Sequence, residues 1–170
     1  MQPSELFRHC PRCGAARPAE NVGRVPLRCA ACGLVFFFNP TVAAAAWVFD
    51  ADRRALFLRR SHEPAKGKLA IPGGFVDIGE TAEQALRREL REEVGLEVGP
   101  VAFVGSYPNL YPYRDVTYPV LDLIFTATAI EASSARPLDG ADDIAWKRLA
   151  DVAPDDLAFP SMRESLKVLL

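Results

Sequence analysis

The chain has 170 residues, 49% hydrophobic and 25% charged, with a formal net charge of −2. This composition supports one ordinary core, or a core with a small appendage, and excludes a disordered chain. The near-neutral charge gives no reason to expect a nucleic-acid or membrane partner, and no apolar run reaches the ~18 residues that span a bilayer.

The cysteines come first in chain order. All four fall in the first 32 residues, and Cys10, Cys13, Cys29 and Cys32 read C-x2-C, fifteen residues, C-x2-C. That spacing matches a tetrahedral zinc site. Gly14 and Gly33 follow each pair and let the backbone turn its N–H groups toward the sulfurs. Two disulfides suit a secreted chain, and a redox pair is usually a single C-x-x-C, so Zn2+ is the expected occupant. Four thiolates leave no open position, which makes the metal structural; its binding supplies folding energy to a segment too short for its own core. Arg8, Arg12, Arg17, Arg24 and Arg28 against Glu5 and Glu20 leave a mild positive excess. "LVFFF" (34–38) is expected to pack the ribbon on the main domain, with an aromatic base-binding patch as the alternative. The ribbon is placed at 1–38 and the main domain at 39–170.

"NPT" at 39–41 breaks the pattern, and strands are expected at 42–49 and 54–60 around a turn at "DADR". The run "TVAAAAWVF" is too short and too late for a signal peptide, so the expected location is cytoplasmic, with reduced thiols. A polar loop follows at 61–68. "PGG" (72–74) reads as a turn whose glycines let the backbone approach a ligand. A helix is expected over about 81–94: "TAEQ" has the form of a capping box on Thr81, Ala82, Leu86, Leu90 and Val94 form an apolar stripe, and Gly95 suits the left-handed end. Further strands are expected at 101–107, 120–129 and 143–146, then a terminal amphipathic helix with Ser161 as N-cap. The order implies an α+β domain, a mixed sheet sandwiched by helices. His9 and His62 read as surface residues, Trp47 as core, and Asp122 and Trp146 as structural.

Glu89, Glu92 and Glu93 share one side of the helix, at the edge of its apolar stripe. Carboxylates so placed repel and need cations beside them. Arg87 and Arg91 point elsewhere by helical angle. Hard oxygen ligands suit Mg2+ or Mn2+, and metal beside a glycine turn suggests phosphate chemistry. Taken alone, the helix also fits a charge-rich surface element.

The wider frame resolves that choice. From Gly74 to Leu96 the chain fits G-x5-E-x7-R-E-U-x-E-E-x-G-U, where U is bulky and apolar, at Gly74, Glu80, Arg88, Glu89, Leu90, Glu92, Glu93, Gly95 and Leu96. This segment resembles the Nudix hydrolase box, and the flanking strands are similar to that family's α/β/α sandwich. The resemblance implies Mg2+- or Mn2+-dependent hydrolysis of the diphosphate linkage in a nucleoside diphosphate joined to another moiety. It implies Glu89, Glu92 and Glu93 as metal ligands, one of them a base, with the Gly74 carbonyl also reaching a metal. Glu80 resembles the outer acid and Arg88 the arginine that orients the glutamates. Leu69 stands where many members carry a tryptophan.

A cysteine ribbon ahead of the box resembles the NADH pyrophosphatase branch. That branch's S-Q-P-W-P-F-P-type motif is not intact in "SYPNLYPYRDVTYP" (106–119), so ADP-ribose and FAD stand beside NAD(H) as expected substrates. Tyr107, Tyr111 and Tyr113, in a stretch stiffened by Pro108, Pro112 and Pro119, suit stacking on a nucleobase. A loop packing on the ribbon or on a second subunit of a homodimer is the alternative. Asp142 in "DGADD" is the candidate late-loop acid. The competing reading of the whole chain is a non-catalytic nucleotide sensor or RNA-binding module.

Overall fold

The computed structural model describes all residues 1–170. The chain divides into two compact units, Met1–Thr41 with Leu110–Pro119, and Val42–Asn109 with Val120–Leu170. No helix is long and apolar enough to cross a membrane.

Outside 110–119 the first unit has little regular structure: a helical turn α1 (Pro3–Leu6) and two short antiparallel strands, β1 (Leu27–Arg28) and β2 (Val35–Phe36). Its buried apolar residues are Cys10 and Leu27. Polar contacts compensate for the small core. The Arg17 guanidinium donates to the carbonyls of Phe7 (2.7 Å), Ser4 (3.4 Å) and Asn21. Phe36 and Phe38 of the "LVFFF" run close on Phe7 of the same unit, at 5.7 and 5.1 Å between ring centroids. The Met1 ammonium donates to the Asp115 carbonyl and the Thr117 N–H to the Met1 carbonyl, each at 2.8 Å, tying 110–119 to the start of the chain.

Seven strands form the main sheet: β3 (Thr41–Phe49), β4 (Ala55–Arg60), β5 (Leu69–Ala70), β6 (Gly73–Phe75), β7 (Val98–Tyr113), β8 (Val116–Ala129) and β9 (Ala141–Lys147). Their order is β5-β4-β3-β8-β7, with β6 also on β3 and β9 also on β4. With helices α2 (Ala82–Val94) and α3 (Pro160–Leu169) this is the expected α+β architecture. Ala55, Leu56, Phe57 and Leu58 of β4 are all buried, as befits a strand covered on both faces. Trp47 is core, fully buried, edge-on to Phe57 at 5.8 Å, with its indole N–H donated to Ser165 Oγ of α3 at 3.1 Å. Asp122 is structural too: buried, it accepts from Asn109 Nδ2 at 2.9 Å, and burial raises its carboxyl above the usual range.

Three local expectations are corrected. Helix α3 is capped by Phe159, not Ser161; Pro160 takes the first helical position, where its missing N–H costs nothing, and Ser161 is buried in the first turn. "PGG" runs into a strand, β6, antiparallel to β3 with Gly74 opposite Ala44. The tyrosine–proline stretch is not a loop through residue 113: β7 carries on through it, placing Tyr107, Asn109, Tyr111 and Tyr113 on one face and Pro108 and Pro112 on the other. The prolines are tolerated because β7 ends the sheet order.

Candidate functional site

Helix α2 is fixed at both ends. Thr81 Oγ1 accepts from the Gln84 N–H (3.2 Å) while Gln84 Oε1 accepts from the Thr81 N–H (2.8 Å), the expected capping box. At the other end Gly95 adopts φ +67°, and the Leu96 N–H reaches the Leu90 carbonyl at 3.0 Å. The segment after β8 supplies three more donors to the last turn. The N–H groups of Arg136, Leu138 and Asp139 bond the carbonyls of Val94 (3.1 Å), Glu93 (2.9 Å) and Glu92 (3.4 Å). Ala85, Leu86, Leu90 and Val94 form the buried face.

Strand β6 lies against this helix, and its glycines set the spacing. Gly73 has φ +147°, and a Cβ there would collide with the backbone of Ala44 and Ala45. Its N–H turns to the helix and donates to Glu93 Oε2 at 2.9 Å. A Cβ on Gly74 would overlap the Glu89 carboxylate. The glycine pair thus makes room for helix carboxylates, a role that the expectation of a ligand-facing turn missed.

One cation serves the box. Arg88 forms a two-pronged pair with Glu80 (Nε–Oε1 and Nη2–Oε2, both 2.9 Å), and its Nη1 meets Glu89 (2.7 Å) and Glu92 (3.1 Å). Nη2 also donates to the Phe75 carbonyl at 2.9 Å. Arg87 is spent on the carbonyls of Val98 and Gly99, and Arg91 on Glu97 at 2.6 Å. The Arg88 hydrogen bonds hold the Glu80 carboxyl below the usual range. Burial pushes Glu89 up, against the pull of Arg88. Burial pushes Glu93 further, to about 8, against the Gly73 N–H and the charge of Arg60, and with the repulsion of Glu89 and Asp139. Glu92 is the outer member, its side chain 54% exposed.

Sequence reasoning missed the part played by Arg60 and the 139–140 turn. A Cβ on Gly140 would sit 3.8 Å from Glu93 Oε1 and 3.5 Å from His62 Cε1. The "DG" dipeptide was the available signal, since Gly140 takes φ +73°. His62 is exposed, as expected, with Nδ1 2.8 Å from Ser61 Oγ.

The cysteines form a second candidate site. Their sulfurs all lie within 4.8 Å of one another, with Cys10–Cys32 and Cys13–Cys29 both at 3.7 Å, and none is in a disulfide. The two halves repeat one pattern. The Gly14 N–H bonds the Cys10 carbonyl and the Gly33 N–H the Cys29 carbonyl, each at 2.9 Å, with φ of +73° and +74°. Burial would raise the Cys10 thiol, yet the N–H groups of Cys13 and Arg12 and the neighbouring thiols bring it down to about 6. The cluster has the ligand set of a metal site.

The NUDIX domain pattern matches residues 39–169. The chain is a member of the NUDIX family. An ADP-ribose pyrophosphatase of Methanocaldococcus jannaschii is 36% identical over 94 residues, 55% of this chain and 54% of that protein. A NAD-capped RNA hydrolase NudC of Pseudomonas aeruginosa is 31% identical over 163 residues, 96% of this chain and 54% of that protein. The chain spans about half the length of these relatives. A NUDIX hydrolase structure from Nitrosomonas europaea superposes with a TM-score of 0.69 at 22% identity, covering 95% of this chain and 89% of the other, and so shares the fold.

Outside the NUDIX box the remaining candidates are dispersed. Tyr107 belongs to the same unit as the glutamates and lies over Gly105, whereas Tyr111 and Tyr113 belong to the first unit. The Tyr113 ring carries the Arg114 guanidinium, 5.4 Å from its centroid. Asp142 is exposed on β9; the acid whose charge reaches Glu93 is Asp139.

Proposed function

We infer that this chain hydrolyses the diphosphate linkage of a nucleoside diphosphate joined to a second moiety, with residues 1–38 as a zinc ribbon and 39–170 as the catalytic domain. The observation that carries this reading is the crowding of Glu80, Glu89 and Glu92 on the Arg88 guanidinium, with Glu93 beside them, tucked against Gly73. Four carboxylates with one cation leave an excess of hard oxygen donors, which fits a divalent ion. Glu89, Glu92, Glu93 and the Gly74 carbonyl would hold Mg2+ or Mn2+. Such an ion supplies charge to offset the diphosphate oxygens and makes water more acidic.

The chain's own groups do the positioning. Arg88 orients Glu80 through its two-pronged pair and Glu89 through Nη1. Gly74 leaves the Glu89 carboxylate its place. Burial raises the Glu93 carboxyl to about 8 in the metal-free protein, so a divalent ion held there would displace its proton and leave the carboxylate as a ligand. Tyr107, Tyr111 and Tyr113 are the proposed stacking groups, and Asp142 a further polar contact.

Zinc fits the thiols. A Zn–S bond of about 2.3 Å gives tetrahedral sulfur separations of about 3.8 Å, beside the 3.7 Å found for two pairs. The names of the relatives support ADP-ribose and NAD-linked diphosphates as the substrate class, and FAD rests on the resemblance of the cysteine ribbon alone. The test is incubation with Mg2+ or Mn2+ and ADP-ribose, FAD, NADH and NAD-capped RNA. The expected product is a nucleoside monophosphate from at least one of them. Tight binding without product from any would favour the sensor reading.

A further inference from the structure

A second concentration of charge lies outside the NUDIX box, and its sign is opposite. A cavity of about 390 Å3 is lined by Arg59 of β4, Lys66 and Lys68 of the 61–68 loop, Lys147 of β9, and Asp156, with Leu69 buried beneath. Four cations face one acid there, in a chain whose net charge is −2. The cations come from three separate segments, so their convergence is a product of the fold and not of a basic run in the sequence.

Their partners orient them without neutralising them. Arg59 Nη1 donates to the Gly67 carbonyl at 2.7 Å, and Lys68 Nζ to the Asp155 carbonyl at 2.8 Å. Both acceptors are uncharged. The ammonium groups of Lys66 and Lys147 have no partner, and Asp156 forms no ion pair with any of the four. Like charges gathered in a concave wall focus a positive potential and raise the local concentration of anions. The residual charge of +3 selects a multiply charged oxyanion over a single carboxylate.

We propose that this cavity is a phosphate-binding site, separate from the carboxylate box, for a ligand that carries at least two phosphates. The same loop that supplies Lys66 and Lys68 begins at Ser61 and His62, beside Gly140 and the turn that reaches Glu93. One eight-residue loop therefore borders both places. The phosphates bound here are not the pair being cleaved. The proposal does not depend on hydrolysis.

The test is direct binding without divalent ions, so that the carboxylate box repels anions. Inorganic pyrophosphate and a 5′-phosphorylated oligonucleotide of about six residues are titrated at low salt by calorimetry. Saturable binding of at least one is expected. Lys66→Gln with Lys147→Gln should weaken it tenfold or more. Asp156→Asn should tighten it about threefold, a gain that misfolding cannot produce. Binding of pyrophosphate alone assigns the site to free diphosphates. Binding of the oligonucleotide with a log–log salt slope of about −2 assigns it to a phosphodiester chain. Either outcome sustains the site. No saturable binding of either probe, or an affinity indifferent to all three substitutions, overturns it.

Discussion

The four thiols and the four box carboxylates are both clusters of like donors, but they are held differently. The thiols are brought within 4.8 Å of one another by two matching glycine turns, with no charged side chain hydrogen-bonded among them. Three of the carboxylates are drawn onto Arg88, which keeps Glu89 and Glu92 on one nitrogen and Glu80 on the other edge, and the fourth, Glu93, is held by the Gly73 N–H. The carboxylate region carries its own cation and has a buried apolar helix face, so it folds without a metal. The thiol region has a smaller core and no cation bonded to its sulfurs, and in the proposed reading its order depends on the ion. In the proposed reading, metal is an element of structure in one and of chemistry in the other.

The largest expected effect breaks the thiol side. Cys10→Ser should abolish stoichiometric zinc and unfold the first unit, with a loss on the order of 10 kcal/mol of metal-linked folding energy. Amide hydrogen exchange checks this: protection should vanish in 1–38 and persist in α2. Retained protection in both regions would erase the contrast. Glu93→Gln should do the converse, keeping the fold while lowering turnover by about a hundredfold or more. A near-wild-type rate would remove Glu93 from the chemistry. Arg88→Lys keeps the charge but loses the two-pronged geometry, and steady-state kinetics should show a drop of about tenfold.

The most gradual effect is a pH slope. In protein free of Mg2+ and Mn2+, folded Glu93 holds its proton to about 8, while the unfolded side chain releases it near 4.5. Between those values the folded state binds more protons, so raising the pH favours unfolding, by up to about 1.4 kcal/mol per pH unit. Above 8 the slope ends. Denaturant titrations of wild type and Glu93→Gln across this window should differ in slope, and equal slopes would refute the burial argument.

The sequence revealed most where one short stretch carries the whole signal. The ends of α2 followed from Thr81, Gln84 and Gly95, and the pairing of thiols from two C-x2-C units. The failures share a cause, since each needed a partner distant in the chain. "PGG" has glycines because Ala44, Ala45 and Glu89 crowd it, and no local rule names those neighbours. Pro108 and Pro112 mask the alternation of Tyr107, Asn109, Tyr111 and Tyr113 that carries strand β7 on to Tyr113. Asp139 and Asp142 lie in one acidic run, and only the fold shows that the charge reaching Glu93 is that of Asp139. The basic cavity was invisible because its lysines and arginine are scattered.

The three donors from Arg136, Leu138 and Asp139 hold more than a helix end. Leu138 and Asp139 grip the carbonyls of Glu93 and Glu92, the proposed metal-binding pair, and Arg136 that of Val94, so this distant stretch acts as a rein on the acidic pair. A single protease nick at 131–135 would slacken it, let the final turn fray, and blunt activity while every side chain of the motif stayed in place.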